Sequence, residues 1–224
     1  MERSRDINKT ICKKILREEV LKKRDALTPA LHQNYSRNIR SAIQNWEIYR
    51  KAKVILSFVS FGSEVDTHIL IKDAISDGKK VYCPRVQGED MCFYRIYSPA
   101  DLTPGYRGIL EPITEEHFGL MTNENVLLLM PGTVFDKERN RIGYGRGFYD
   151  RFLHSFYERS AEKAGTKGTL GESLSLTAAA LAFSLQVVDS VPTEAHDIRP
   201  EYLFTENGIY CKTCYKQDGK GECI

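Results

Sequence analysis

The chain has 224 residues, enough to bury a substantial core as one domain, and its 42% hydrophobic and 28% charged fractions are those of an ordinary globule. Thirty-two basic against thirty acidic residues leave a net charge of +2, so no general field favours nucleic acid or a membrane surface as partner, and any basic site must be local. No apolar run approaches the ~20 residues that cross a bilayer, and the amino-terminal segment lacks the apolar stretch of a secretory signal, so a cytoplasmic protein is expected.

Thr10 to about Leu27 suits a helix with Ile11, Ile15, Leu16 and Val20 on one side. Lys13, Arg17 and Arg24, spaced by four and seven, fall on a single basic stripe beside it; on spacing alone this is a solvated face. Thr28 and Pro29 read as a cap and a first helical residue, opening a second helix in which Leu31, Tyr35, Ile39, Ala42 and Trp46 recur at helical intervals. Lys53 to Phe61 reads as a buried strand, and Asp66 and Thr67 open a helix that stops at Gly78. Lys80 to Cys83 is a short strand closed by Pro84, and Met91 to Tyr97 alternates as another.

Pro99, Pro104, Gly105, Gly108 and Pro112 then mark a long irregular stretch, more often functional than idle. Asn125 to Met130 is a strand that delivers the chain to Pro131 and Gly132, and Gly147 to about Arg159 is a helix. The stretch from 161 to 176, glycine-bearing and without apolar period, reads as a flexible insertion. Ala178 to Leu185 and Tyr202 to Thr205 are the last strands. Strands alternating with helices imply a three-layer α/β domain with a mainly parallel central sheet, where ligands collect at the carboxyl ends of strands.

Six cysteines (Cys12, Cys83, Cys92, Cys211, Cys214, Cys223) are too scattered for a disulfide framework and read as reduced. Cys211 and Cys214 have a spacing used in zinc and redox sites, but only Cys223 lies near as a third sulfur, where zinc takes four ligands. The segment 211–224 is read as an ordinary carboxy-terminal tail.

The most informative segment runs from Pro131 to Arg151. Gly143, Gly145 and Gly147 alternate just ahead of a helix, where glycines free to take positive φ let successive amides converge on an anion. Arg141 and Arg146 add charge, and Asp150 could hold a metal on the other side of the same phosphates. The nucleotide-binding glycine patterns Gly-x-Gly-x-x-Gly and Gly-x-x-x-x-Gly-Lys-Ser/Thr are not matched, and from composition alone a hairpin with glycine turns is an equal reading.

Pro131, Gly132, Phe135 and Asp136, followed by the run from Arg141 to Asp150, resemble the signature of the 5-formyltetrahydrofolate cyclo-ligase family. The resemblance extends over almost the whole chain. It takes in Lys13, Lys14 and Arg17; Ser60, Glu64 and Thr67; Pro84 and Arg85; Gly108, Ile109, Glu111 and Pro112; and Ala182, Phe183, Gln186, Val191, Pro192, His196 and Asp197.

The resemblance implies a fold like that of sugar-phosphate isomerases and CoA-transferases. It also implies an ATP- and Mg²⁺-dependent closure of 5-formyltetrahydrofolate to 5,10-methenyltetrahydrofolate, with small-molecule partners and a monomeric state. Lys13 and Arg17 would meet ATP phosphates, Arg141 with Gly143, Tyr144, Gly145, Arg146, Gly147, Phe148 and Tyr149 would wrap the triphosphate, and Arg146, where the family often has lysine, would lie near the transferring group. Asp150 and Asp197 match magnesium positions. Glu64 matches a carboxylate that pairs with pterin nitrogens, with Val59, Phe61 and Tyr149 as apolar walls. Val86 and Phe148 depart from tyrosines common at those places. The alternatives are an ATP-independent isomerase or CoA-transferase-like enzyme, since fold does not fix function, and a non-catalytic phosphate- or RNA-binding relative.

Overall fold

A computed structural model of the protein describes residues 2–119, 124–165, 176–194 and 197–212. Seven strands form the main sheet: β1 (Val54–Ser57), β2 (Lys80–Gln87), β3 (Asp90–Ile96), β6 (Val126–Met130), β9 (Leu176–Leu181), β11 (Tyr202–Thr205) and β12 (Gly208–Cys211). Their order is β12-β11-β9-β6-β1-β2-β3. The five from β11 to β2 are parallel, and β3 and β12 close the two edges as antiparallel hairpin partners. The mainly parallel sheet expected from the alternation of elements is therefore present.

The helices are α1 (Glu2–Asp25), α2 (Pro29–Asn45), α3 (Glu47–Lys51), α4 (His68–Ser76) and α5 (Phe148–Gly165). Side chains alternate across the sheet with period two. Ile55, Leu127, Leu129, Ala179, Leu181 and Phe204 face Ile39 and Ile43 of α2, Tyr49 of α3 and Leu70 and Ile71 of α4. Val54, Leu56, Val126, Leu128, Met130 and Leu203 face Leu153 and Phe156 of α5. All five residues of β6 are buried, as a strand covered on both faces requires.

Two small sheets complete the fold: β4 (Leu102–Pro104) with β5 (Leu110–Pro112), and β7 (Val134–Asp136) with β8 (Arg141–Ile142) and β10 (Val187–Val188). Val20 of α1 packs on Val134, Ile142 and Val191, so α1 lies against the β7–β8 hairpin.

Several expectations are corrected. Ile11 and Ile15 are half exposed, and α1 is held by Val20, Leu16 and its basic residues instead. β1 stops at Ser57 because the Ser60 and Thr67 side chains brace the following loop: each hydroxyl accepts from the other's amide (3.1 and 2.9 Å), and Thr67 Oγ1 donates to Phe58 O. β2 runs through Pro84, which lies beyond Tyr82, the last residue paired with β1, so its missing N–H costs no bond on that side.

The strand expected from Ala178 to Leu185 gives way after Leu181 to a short 3-10 turn, Ser184–Gln186. Helix α5 continues to Gly165, so the expected insertion loses its first residues to the helix, and 166–175 lie outside the described residues. The tail expected over 211–224 begins as the end of β12. Cys211 is disulfide-bonded, which overturns the reduced reading there; Cys12, Cys83 and Cys92 are free, and Cys214 and Cys223 lie outside the described residues.

Candidate functional site

A cavity of about 720 Å³ opens at the carboxyl ends of β1 and β6, where a parallel sheet gathers its ligand loops. Every residue to which the resemblance gives a ligand-binding role lines it: Lys13, Arg17, Val59, Phe61, Glu64, Arg141, Gly143 to Asp150, and Asp197.

The glycine loop leaves the β7–β8 hairpin, so the hairpin reading holds for what precedes the loop and the anion-cradle reading concerns the loop itself. The hairpin is fixed by buried contacts. A Cβ on Gly132 would fall 2.3 Å from the Phe135 ring, so only glycine lets the ring close over the strand end. Gln186 Nε2 donates to the carbonyls of Gly132 and Thr133, and the Asp136 carboxylate accepts from Asn140 and from the Val191 amide. Those motif residues build the platform and do not reach the cavity.

Beyond Ile142 the backbone turns through Gly145 (φ 93°) and Gly147 (φ 65°), conformations that strain any side-chain-bearing residue. Gly143 does not adopt positive φ, contrary to expectation; its carbonyl accepts from Arg17 Nε at 2.9 Å. Among the described residues, the amides of Tyr144, Gly145, Arg146 and Gly147 donate to no protein acceptor, and the first turn of α5 follows directly. Free amides, positive φ and a helix start together suit an anion.

The basic stripe of α1 is not a solvated face. Lys13 Nζ donates to Glu194 Oε2 (2.7 Å) and Asp197 Oδ2 (2.9 Å). Burial alone would lower its pKa, but the two carboxylates outweigh burial and raise it. Arg141 Nη2 meets both oxygens of Asp150 (2.9 and 2.8 Å), with the guanidinium side chain only 6% exposed and its Nε without a partner. Asp150 also accepts from the Ile198 amide, which draws the segment around Asp197 to the first turn of α5. Arg146 is exposed; its guanidinium lies 5.6 Å from the Phe148 ring centre.

At the other side of the loop, Glu64 is 4% exposed. It accepts from the Phe61 amide (3.1 Å) and from the Tyr144 hydroxyl (2.8 Å), and that hydroxyl accepts from Arg24 Nη2 (3.0 Å). Arg24 is itself buried and donates to Ser63 Oγ. Tyr144, which the resemblance placed against the triphosphate, thus spans to the carboxylate expected to meet the pterin. Phe61 and Tyr144 stack obliquely at 5.3 Å, and Val59 adds apolar surface. Burial pushes the Tyr149 hydroxyl well above its usual pKa, so it stays protonated at neutral pH. Reading of the sequence gave Arg24 no role, and it missed Glu194, Tyr106, Arg107, Arg151 and His154 on the cavity wall.

Burial also raises the Glu64 carboxyl above its ordinary value of 4.5, against the pull of its hydrogen bonds and Arg24. The folded state then holds the proton more tightly than the unfolded chain. Its contribution is fully present below pH 4.5 and is lost as pH rises through the raised folded value. Glu64→Gln, whose amide can donate to the Tyr144 oxygen, should flatten this decline and match or exceed the parent in stability at pH 8. Urea midpoints between pH 4.5 and 8 check this; an unchanged slope would show that Glu64 is not the titrating group.

The fold and site define a class: an α/β protein whose strand ends carry a cavity lined by cationic side chains, backbone amides of a glycine loop and a buried carboxylate. The chain belongs to the 5-formyltetrahydrofolate cyclo-ligase family, a family of ligases, whose profile matches residues 9–206. It is 30% identical over 186 residues to the 5-formyltetrahydrofolate cyclo-ligase of Haemophilus influenzae, covering 82% of this chain and 91% of that protein. It is 28% identical to that of Mus musculus over 172 residues, 71% and 76% of the two chains. The structure superimposes on that of Aquifex aeolicus 5,10-methenyltetrahydrofolate synthetase with a TM-score of 0.73 at 28% identity, covering 94% and 95% of the two chains.

Proposed function

We propose that this chain, as one monomeric and cytoplasmic domain of the isomerase and CoA-transferase-like fold, converts 5-formyltetrahydrofolate to 5,10-methenyltetrahydrofolate, with ATP going to ADP and phosphate. The observation that carries the reading is that cations, free amides and Glu64, drawn from positions as far apart as Lys13 and Asp197, line one cavity.

The carbonyl oxygen of an N-formyl group is a very poor leaving group from its carbon. The γ-phosphoryl group is therefore moved onto that oxygen, breaking its bond to the β-phosphate oxygen. Nitrogen 10 then attacks the formyl carbon and gives up its proton, and the carbon–oxygen bond breaks to release phosphate. Transfer of this kind needs positioning and charge stabilisation more than a nucleophilic side chain. Lys13, Arg17, Arg141 and the amides of Tyr144 to Gly147 hold the triphosphate, and Arg146 stabilises the phosphoryl group in flight. Glu64 orients the pterin ring by accepting from its nitrogens, and Tyr149 and Val59 keep water from the reacting centre.

Asp150 and Asp197 fit Mg²⁺, which takes hard oxygen donors, commonly one or two carboxylates completed by phosphate and water. Among the described residues no group of three or more His, Cys, Asp or Glu could hold a metal unaided, so the ion would arrive with the nucleotide. It would neutralise phosphate charge. Asp150 and Asp197 would then exchange part of their contact with Arg141 and Lys13, freeing those cations for phosphate.

The test is whether ADP formation requires the formyl-folate. Purified protein with 5-formyltetrahydrofolate, ATP and Mg²⁺ should develop the methenyl absorbance with one ADP per product. No rise at high protein concentration defeats the assignment. Product without ADP would favour the ATP-independent rival, and salt-sensitive RNA affinity without ATP turnover the binding-protein rival.

A further inference from the structure

The 105–109 loop between β4 and β5 reaches the cavity with a residue in a costly conformation. Arg107 has φ 55°, in the left-handed region that glycine fills more cheaply. The chain has one other arginine with positive φ among its described residues, Arg139 (φ 66°), and there the side chain is buried and donates to Pro200 O. Arg107 is exposed, lines the cavity and makes no ion pair or hydrogen bond among the described residues; its guanidinium lies 5.4 Å from the ring centre of Tyr106. Tyr106 in turn meets Phe148 edge-on at 6.5 Å.

A second guanidinium stands behind the same ring. Arg151 donates to the carbonyls of Arg146 and Glu89 and lies 5.4 Å from Phe148, so carbonyl dipoles hold it and, among the described residues, no carboxylate pairs with it. This basic pair is tied to the Phe148 end of the glycine loop, whereas Arg17 is tied to the Gly143 end. The Glu111 carboxylate on this wall accepts from the Val86 amide. Pro84, Val86, Met91 and Ile109 make the wall between otherwise apolar.

We propose that Arg107, with the field of Arg151 behind it, is a subsite for the carboxylates of the glutamate that a folate carries beyond its aminobenzoyl ring. This rests on the folate reading above. The apolar wall suits the aromatic linker, and an exposed guanidinium at its end suits an anion that stays partly in water.

The experiment compares the whole chain with Arg107→Gly and Arg107→Lys on three substrates: the formylated reduced folate with one glutamate, with three, and its pteroate counterpart with none. Arg107→Gly removes the charge while easing the backbone, so its unfolding midpoint should equal or exceed the parent's. Its KM for the glutamate-bearing substrates should rise roughly 3- to 10-fold relative to the pteroate, as for a partly exposed charged pair. Arg107→Lys should recover part of the loss. An equal rise for all three substrates, a rise in the KM for ATP, or no change would overturn the subsite while leaving the cyclo-ligase reading intact. No methenyl product from the parent chain with any of the three would overturn that reading and the subsite together.

Discussion

Arg146→Ala is expected to lower turnover by roughly 10²- to 10³-fold, the usual loss when a preorganised charge stabiliser is removed from a transition state. The unfolding free energy should change by less than about 0.5 kcal/mol, because Arg146 is exposed and, among the described residues, its side chain makes only a ring contact with Phe148. The backbone carbonyl that anchors Arg151 is kept in the variant. Steady-state methenyl formation beside a urea titration measures both quantities. Arg146→Lys should restore much of the rate, since the developing charge asks for a cation before it asks for a fork. Wild-type turnover in the alanine variant would remove Arg146 from the chemistry.

Asp150→Ala should strike stability and activity together. It strands the Arg141 guanidinium, 6% exposed, without either carboxylate oxygen, and it removes the acceptor of the Ile198 amide. Breaking one partner of a largely buried pair costs about 3–5 kcal/mol at full burial; with Asp150 18% exposed, about 2–4 kcal/mol is expected. Arg141→Leu combined with Asp150→Ala removes both charges and should recover most of the lost stability, because a buried pair is worth little over an apolar replacement. Activity should stay lost in the double variant, since nucleotide would meet neither a cation nor a metal carboxylate there. Full stability in the single variant would show that the pair is not the structural clamp its geometry describes.

The parallel sheet was legible because elements alternate along the chain. The cavity lining was legible only residue by residue through the family resemblance, since alternating glycines with flanking arginines leave a hairpin with glycine turns as an equal reading. The links between distant residues were not legible. Arg24, Glu64 and Tyr144 form one hydrogen-bonded chain, yet its two links span 120 and 80 positions, and nothing local marks Arg24 as buried while Arg17 remains partly open. Helical periodicity misread Ile11 and Ile15 because it cannot tell an apolar stripe facing a core from one beside polar anchors. Pro84 suggested a strand end because local rules do not know which edge of a strand is paired. The β11–β12 hairpin escaped because Gly208 to Cys211 is too short to announce itself.

The cavity is stitched from remote parts of the polypeptide: Arg17 bonds Gly143 across 126 positions, and Lys13 bonds Asp197 across 184. A chain that has made its sheet but not yet docked α1 owns the glycine loop without the lysine and arginine that face it. Nucleotide or folate added during refolding is therefore expected to find little to hold until α1 docks, and to slow unfolding by binding the docked form. Ligand protection should then report the docking of α1.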